Sequence, residues 1–172
     1  MISKTCVNRE LLLRRRIKLL TWLFIVGLVL SGVTAIPLNL EMDRLINFLG
    51  IEEWGSQPAN NYSLTTWLFR VRDALSDVES HHAFLFYGTD WLAFGHFVIA
   101  IVFIGALHNP VRNRWLFDFG LIACALVVPY ALVFGGVRGI PFWWRLIDCS
   151  FGVFGFIPLW FCRKWTRELE RG

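Results

Sequence analysis

Four long apolar runs alternate with shorter mixed stretches along the chain. Leu19 to Leu40 holds no charged residue, with its apolar core over 19–37. Trp91 to Val111 is uncharged apart from His96 and His108, and Phe119 to Val137 is a third such run. Pro141 to Cys162 is the fourth, interrupted by Arg145 and Asp148. A helix of about 20 residues crosses the hydrocarbon core of a bilayer. Lipid offers the backbone no hydrogen-bond partner, so helices are the expected element. The pattern predicts spans over 19–37, 91–109, 116–136 and 141–162.

Residues 38–90, between the first two spans, are too many for a structureless loop. They carry two helical periodicities. Leu38, Met42, Leu45, Ile46 and Leu49 share one face, opposite Glu41, Asp43 and Arg44. Gly50 is the expected stop. IEEWGSQPANNY reads as a loop, and Ser63 as the cap of a second helix. There Leu64, Trp67, Leu68, Val71, Leu75 and Val78 form a stripe away from Arg70, Asp73 and Asp77. Two helices lying along the membrane interface fit this pattern better than a lid. The fold class expected is all-α: a polytopic membrane protein, a four-transmembrane-helix bundle with one or two amphipathic helices in an outer segment.

Composition supports this solvent. Of 172 residues, 56% are hydrophobic and 17% charged, more apolar surface than a soluble domain of this size can hide. The net charge of +4 does not point to nucleic acid, because the basic residues cluster at the ends of apolar runs. They also orient the chain. Residues 1–18, the turn with Arg112 and Arg114, and the tail 163–172 hold twelve Lys and Arg. The opposite side holds five, counting Arg145. Positive residues stay inside, which predicts cytoplasmic termini in the plasma (inner) membrane and 38–90 outside. Trp67, Trp91, Trp115, Trp143, Trp144 and Trp165 fall near the expected boundaries. The basic start and the Val33-Thr34-Ala35 triplet also resemble a secretory signal. The apolar run continues past that triplet, which favours an anchor.

Candidate chemistry is sparse. Cys6, Cys124, Cys149 and Cys162 show no C-x-x-C spacing, which argues against a zinc site or a membrane thiol oxidoreductase. His81 and His82, near Glu79 and Asp90, are adjacent and point about 100° apart, poor geometry for sharing one metal ion. No metal is assigned. His96 and His108 lie at opposite ends of one span with no partner histidine in another, which disfavours a bis-imidazole haem. P-loop, HExxH and GxSxG motifs are absent, and Ser150 and Thr34 have no base beside them. The sequence assigns no cofactor and no catalytic residue. Asn61-Tyr62-Ser63 is a short sequon match.

The charges in the fourth span are the sharpest feature. Arg145 and Asp148 are three apart and share a face with Gly152, Gly155 and Leu159, where small residues admit a neighbouring helix. Entering from outside, Arg145 lies roughly 6 Å deep, Asp148 roughly 10 Å and His96 roughly 9 Å. Asp90, His96, Arg138, Arg145 and Asp148 therefore form a candidate outer-leaflet cluster. It serves either as structure, through an Arg145–Asp148 ion pair and an interhelical His96 hydrogen bond, or as a ligand or proton site; Arg145 snorkelling outward is a third reading. His108, Arg112, Arg114 and Asp118 form a secondary inner-face set, expected to fix topology by ion pairing. Pro129 should kink the third span or free a carbonyl, and Gly135 and Gly136 should end it. Gly27, Ser31 and Ala35 repeat at four-residue spacing, a contact face within the bundle or between copies.

Three function classes follow. The leading expectation is a non-catalytic accessory or partner-binding membrane component, with membrane lipid as its surroundings and a protein partner or homo-oligomer through small-residue faces. The second is a protein binding or transporting a small anion or quinone-like molecule with the outer cluster. The third is an outer-leaflet enzyme using an Asp or His as acid or base.

Overall fold

The computed structural model describes residues 4–51 and 64–171, with side chains from Asn8 onward. The sequon, Ser63 and most of the 51–62 stretch lie outside the described residues, as does the side chain of Cys6. The described chain is all-helical: α1 Lys4–Thr34, α2 Leu38–Phe48, α3 Leu64–His82, α4 Tyr87–His108, α5 Arg114–Val137 and α6 Phe142–Arg171. A 3-10 turn, Ala83–Phe86, joins α3 to α4. Four helical stretches are long and apolar enough to cross a membrane: Asn8–Thr34, Leu64–His108, Arg114–Val137 and Phe142–Arg171.

Helix ends and apolar ends do not coincide. α1 starts well before Leu19, because Arg, Lys and Leu are good helix formers and Glu10 accepts from Arg14 one turn on (2.9 Å). α5 runs through Pro129 and through Gly135 and Gly136 to Val137, so those glycines do not end it. Gly139 does, at φ 71°. Its N–H donates to the Gly136 carbonyl at 3.1 Å, and the Ile140 N–H reaches back to Gly135 at 2.8 Å, the paired bonds of a Schellman stop. α2 ends the same way at Gly50, with Gly50 N–H on Asn47 and Ile51 N–H on Ile46. In both places the left-handed residue is one that carries no Cβ.

The chain forms two compact units. One comprises residues 1–28 and 99–172, the other 29–98. In the first, α1 buries Leu13, Ile17, Thr21 and Ile25, spaced by one helical turn each. Ile17 and Ile25 join Phe103, Ala106, Leu116, Phe117, Cys124, Leu159 and Cys162 in a continuous core. Phe24 and Phe103 pack ring to ring at 4.8 Å. α5 and α6 form a close antiparallel hairpin. A Cβ on Gly152 would stand 2.6 Å from the Cys124 carbonyl, and one on Gly155 2.8 Å from the Cys124 sulfur. The expected small-residue face of α6 is thus the face that meets α5. Only glycine permits so close an approach to backbone.

Two buried threonines sit in that core, each returning its hydroxyl to its own helix. Thr21 donates to the Ile17 carbonyl and Thr166 to the Cys162 carbonyl, both at 2.8 Å. The Cys162 thiol lies between α1 and α6, 3.7 Å from the Ile17 carbonyl and 3.8 Å from the Thr21 hydroxyl.

In the second unit, the end of α1 meets the start of α4: a Cβ on Gly32 would fall 3.1 Å from the Ala93 carbonyl. α2 buries Ile46 and α3 buries Leu68, members of the two apolar stripes read from the sequence. The Asn39 amide donates to Glu79 and ties α2 to α3.

Candidate functional site

The five residues expected to cluster fall on both units. Asp90 and His96 belong to the second; Arg138, Arg145 and Asp148 belong to the first. Asp90 is exposed in the first turn of α4, where a carboxylate complements the helix dipole. His96 donates from Nδ1 to the Leu92 carbonyl of its own helix at 2.8 Å. The expected interhelical bond is therefore not made through Nδ1, which is taken by the carbonyl four residues back on its own helix. Arg138 is exposed at the end of α5.

Arg145 and Asp148 do not pair, which corrects the expected ion pair. The reason lies on α5. The aliphatic arm of Arg145 lies against Gly135, whose missing side chain leaves the room: a Cβ there would stand 2.6 Å from Arg145 Cδ. The guanidinium passes Gly136 and donates from Nη1 to the Leu132 carbonyl at 3.2 Å. Its carbon also lies 5.5 Å from the centre of the Phe142 ring. Arg145 Nε is buried with no partner among the described residues. Asp148 is half-buried and has no ion pair or side-chain hydrogen bond among the described residues. The next residue, Cys149, points its thiol at the Val128 carbonyl (3.9 Å).

The other end of the hairpin is organised by ion pairs. Asp118 of α5 receives a short hydrogen bond from Arg163 Nε of α6. Arg114 donates to both carboxylate oxygens of Glu170, at 3.1 and 2.9 Å. Arg9 of α1 reaches Glu168 at 3.4 Å. Of the four residues in the expected inner set, Arg114 and Asp118 thus pair with α6 and not with one another. His108 donates to the Ile104 carbonyl at 3.0 Å, and the Arg112 N–H is held by the Asn109 side chain. The α4–α5 turn is closed by Asn113, whose amide donates to the Gly105 carbonyl (2.8 Å) and the Asn109 carbonyl (3.1 Å).

A groove at this same end escaped the sequence reading. Asp118 and Leu121 of α5 and Trp160, Arg163, Lys164 and Arg167 of α6 line it. The α6 members follow the 0, 3, 4, 7 spacing of one helical face, the signal that would have found it. The Lys164 ammonium sits 5.6 Å from the centre of the Trp160 ring.

Among the described residues no three His, Cys, Asp or Glu side chains gather as metal ligands would. The rings of His81 and His82 are 6.4 Å apart, and His81 is engaged with Asp77 at 3.1 Å. Cys124, Cys149 and Cys162 are free thiols. No family model matches the chain, and neither a curated protein nor a solved structure matches it.

Proposed function

We propose that this chain is an integral membrane protein of four spans that acts as a non-catalytic accessory or partner-binding component. The observation that carries the reading is how polarity is distributed on the long helices. Their exposed surface is strongly apolar, as at Leu19, Ile101, Leu126 and Phe154, each half or more exposed. Most of their polar side chains meanwhile close on their own backbone or on a neighbouring helix. Water does not tolerate the first property, and a reaction centre needs polar side chains that converge on one another around a substrate, not ones spent on their own backbone.

The predicted orientation rests on the twelve-to-five bias of Lys and Arg and puts both termini in the cytoplasm. α1 and α6, at 31 and 30 residues, are each about 45 Å long, against a hydrocarbon core of about 30 Å. Their basic ends then extend into the cytoplasm, where Arg9 and Glu168 pair. α2 and α3 lie outside as amphipathic helices along the interface. Gly27 and Ser31 are exposed on α1, and a Cβ on Gly27 would meet nothing within 4 Å. That small-residue face is open to a partner helix.

A second reading, small-molecule binding, draws on Asp148, a half-buried carboxylate without a partner among the described residues. One experiment separates the two. The chain is purified in mild detergent from membranes and analysed by mass spectrometry and absorbance. A stoichiometric protein partner supports the accessory reading. A co-purifying anion or quinone released by Asp148→Asn supports the second. Labelling of cysteines introduced at Ser80 and Arg171 in intact cells tests the orientation: only the first should react with an impermeant reagent.

A further inference from the structure

The groove at the open end of the α5–α6 hairpin combines features that the pairing of its helices does not require. Three cations, Arg163, Lys164 and Arg167, face one carboxylate, Asp118. Asp118 engages Arg163 through Nε, while Nη1 of the same guanidinium is buried with no acceptor among the described residues. With three cations against one carboxylate, the lining of the groove keeps a net positive charge. Lys164 and Arg167 are exposed and make no ion pair among the described residues. Lys164 is held over Trp160, which presents it beside the groove.

The groove also has an apolar continuation. Leu121 and Trp160 form its walls on the side away from Arg167. One turn further along α5 comes Ala125, and along α6 come Phe156 and Val153, all exposed. A cationic mouth thus leads into an apolar track along two helices. We propose that this groove binds the phosphate of an anionic phospholipid from the cytoplasmic leaflet, with Lys164 and Arg167 contacting the phosphate, Arg163 supplying field from below, and an acyl chain lying along Leu121, Trp160 and Phe156.

The chemistry follows from the parts. A phosphate carries several acceptor oxygens and suits two or three convergent cations. Basic pockets between membrane helices on the cytoplasmic side recognise anionic headgroups, and tryptophan sits at headgroup level. An acidic peptide would use the cations equally well, but it has no use for the apolar track. The proposal rests on the membrane reading and its orientation.

The test uses the full chain in nanodiscs of phosphatidylcholine alone or with phosphatidylglycerol, beside the Lys164→Gln/Arg167→Gln variant. Both altered side chains are exposed, so the variant should unfold like the wild type in pure phosphatidylcholine. Phosphatidylglycerol is expected to raise the unfolding temperature of the wild type by about 2–4 °C and to leave the variant unmoved. Native mass spectrometry should show the anionic lipid retained by the wild type and lost from the variant. Equal responses of the two proteins, or none in either, overturn the site while leaving the membrane reading intact. Inorganic phosphate added to phosphatidylcholine discs separates the sources: an equal rise there assigns the cations to the free anion and overturns the lipid. Release of the chain from membranes by alkaline carbonate overturns the membrane reading and the site together.

Discussion

The two ends of the α5–α6 hairpin handle charge in opposite ways. At the open end, carboxylate and guanidinium meet across the helices, Asp118 with Arg163 and Glu170 with Arg114. At the turn end, Arg145 has a carboxylate three residues away on its own helix and does not take it. It lies along Gly135 and Gly136 and uses a main-chain carbonyl instead. The difference is made by what the facing helix offers. Where α5 presents an acid, the arginine pairs; where it presents two glycines, the arginine fills the space they leave. For Arg145 and Arg163 the facing helix, and not the nearest carboxylate in the sequence, decides the partner.

Four substitutions press on this contrast, each read as a change in unfolding temperature in detergent. Gly152→Val should cost most, roughly 3 kcal/mol or failure to fold, because its Cβ would meet the Cys124 main chain at 2.6 Å and neither end of the hairpin could then close. A variant that unfolds within a degree of the wild type would show that the helices are not in this register. Asp118→Asn comes next, at roughly 1–2 kcal/mol. It strips the partner from Arg163, which is 12% exposed, while the 44% exposure of Asp118 itself moderates the loss. Arg145→Gln should cost about 1 kcal/mol, the lost carbonyl bond and the contact with Gly135. Asp148→Asn should shift stability least, within about 0.5 kcal/mol. Combined with Arg145→Gln it should add without coupling, and a measured coupling above that level would restore the ion pair that the spacing suggested.

The limits of the sequence are visible in the same residues. The long helices were legible because apolar runs of about twenty residues admit no other element. The face of Gly152, Gly155 and Leu159 was legible because small residues at helical spacing have one common use. Gly50 was correctly read as a stop. Gly135 and Gly136 were read that way too, and wrongly. A glycine signals either a left-handed turn or a close approach, and only the neighbouring helix decides which. The partner of Arg145 was hidden for the same reason: a main-chain carbonyl has no letter in the sequence. Asp118 with Arg163 was hidden by distance, forty-five positions apart. The groove beside them combines residues of the inner-face set, the third and fourth spans and the basic tail.

Thr21, Thr34, His96, His108, Ser150 and Thr166 all close on a carbonyl three or four residues back. Each of these hydroxyls, and Nδ1 of each imidazole, is thus engaged within its own helix. These side chains ask nothing of a neighbouring helix, whereas Arg145, Arg163 and Asp118 reach their partners only once α5 and α6 have met.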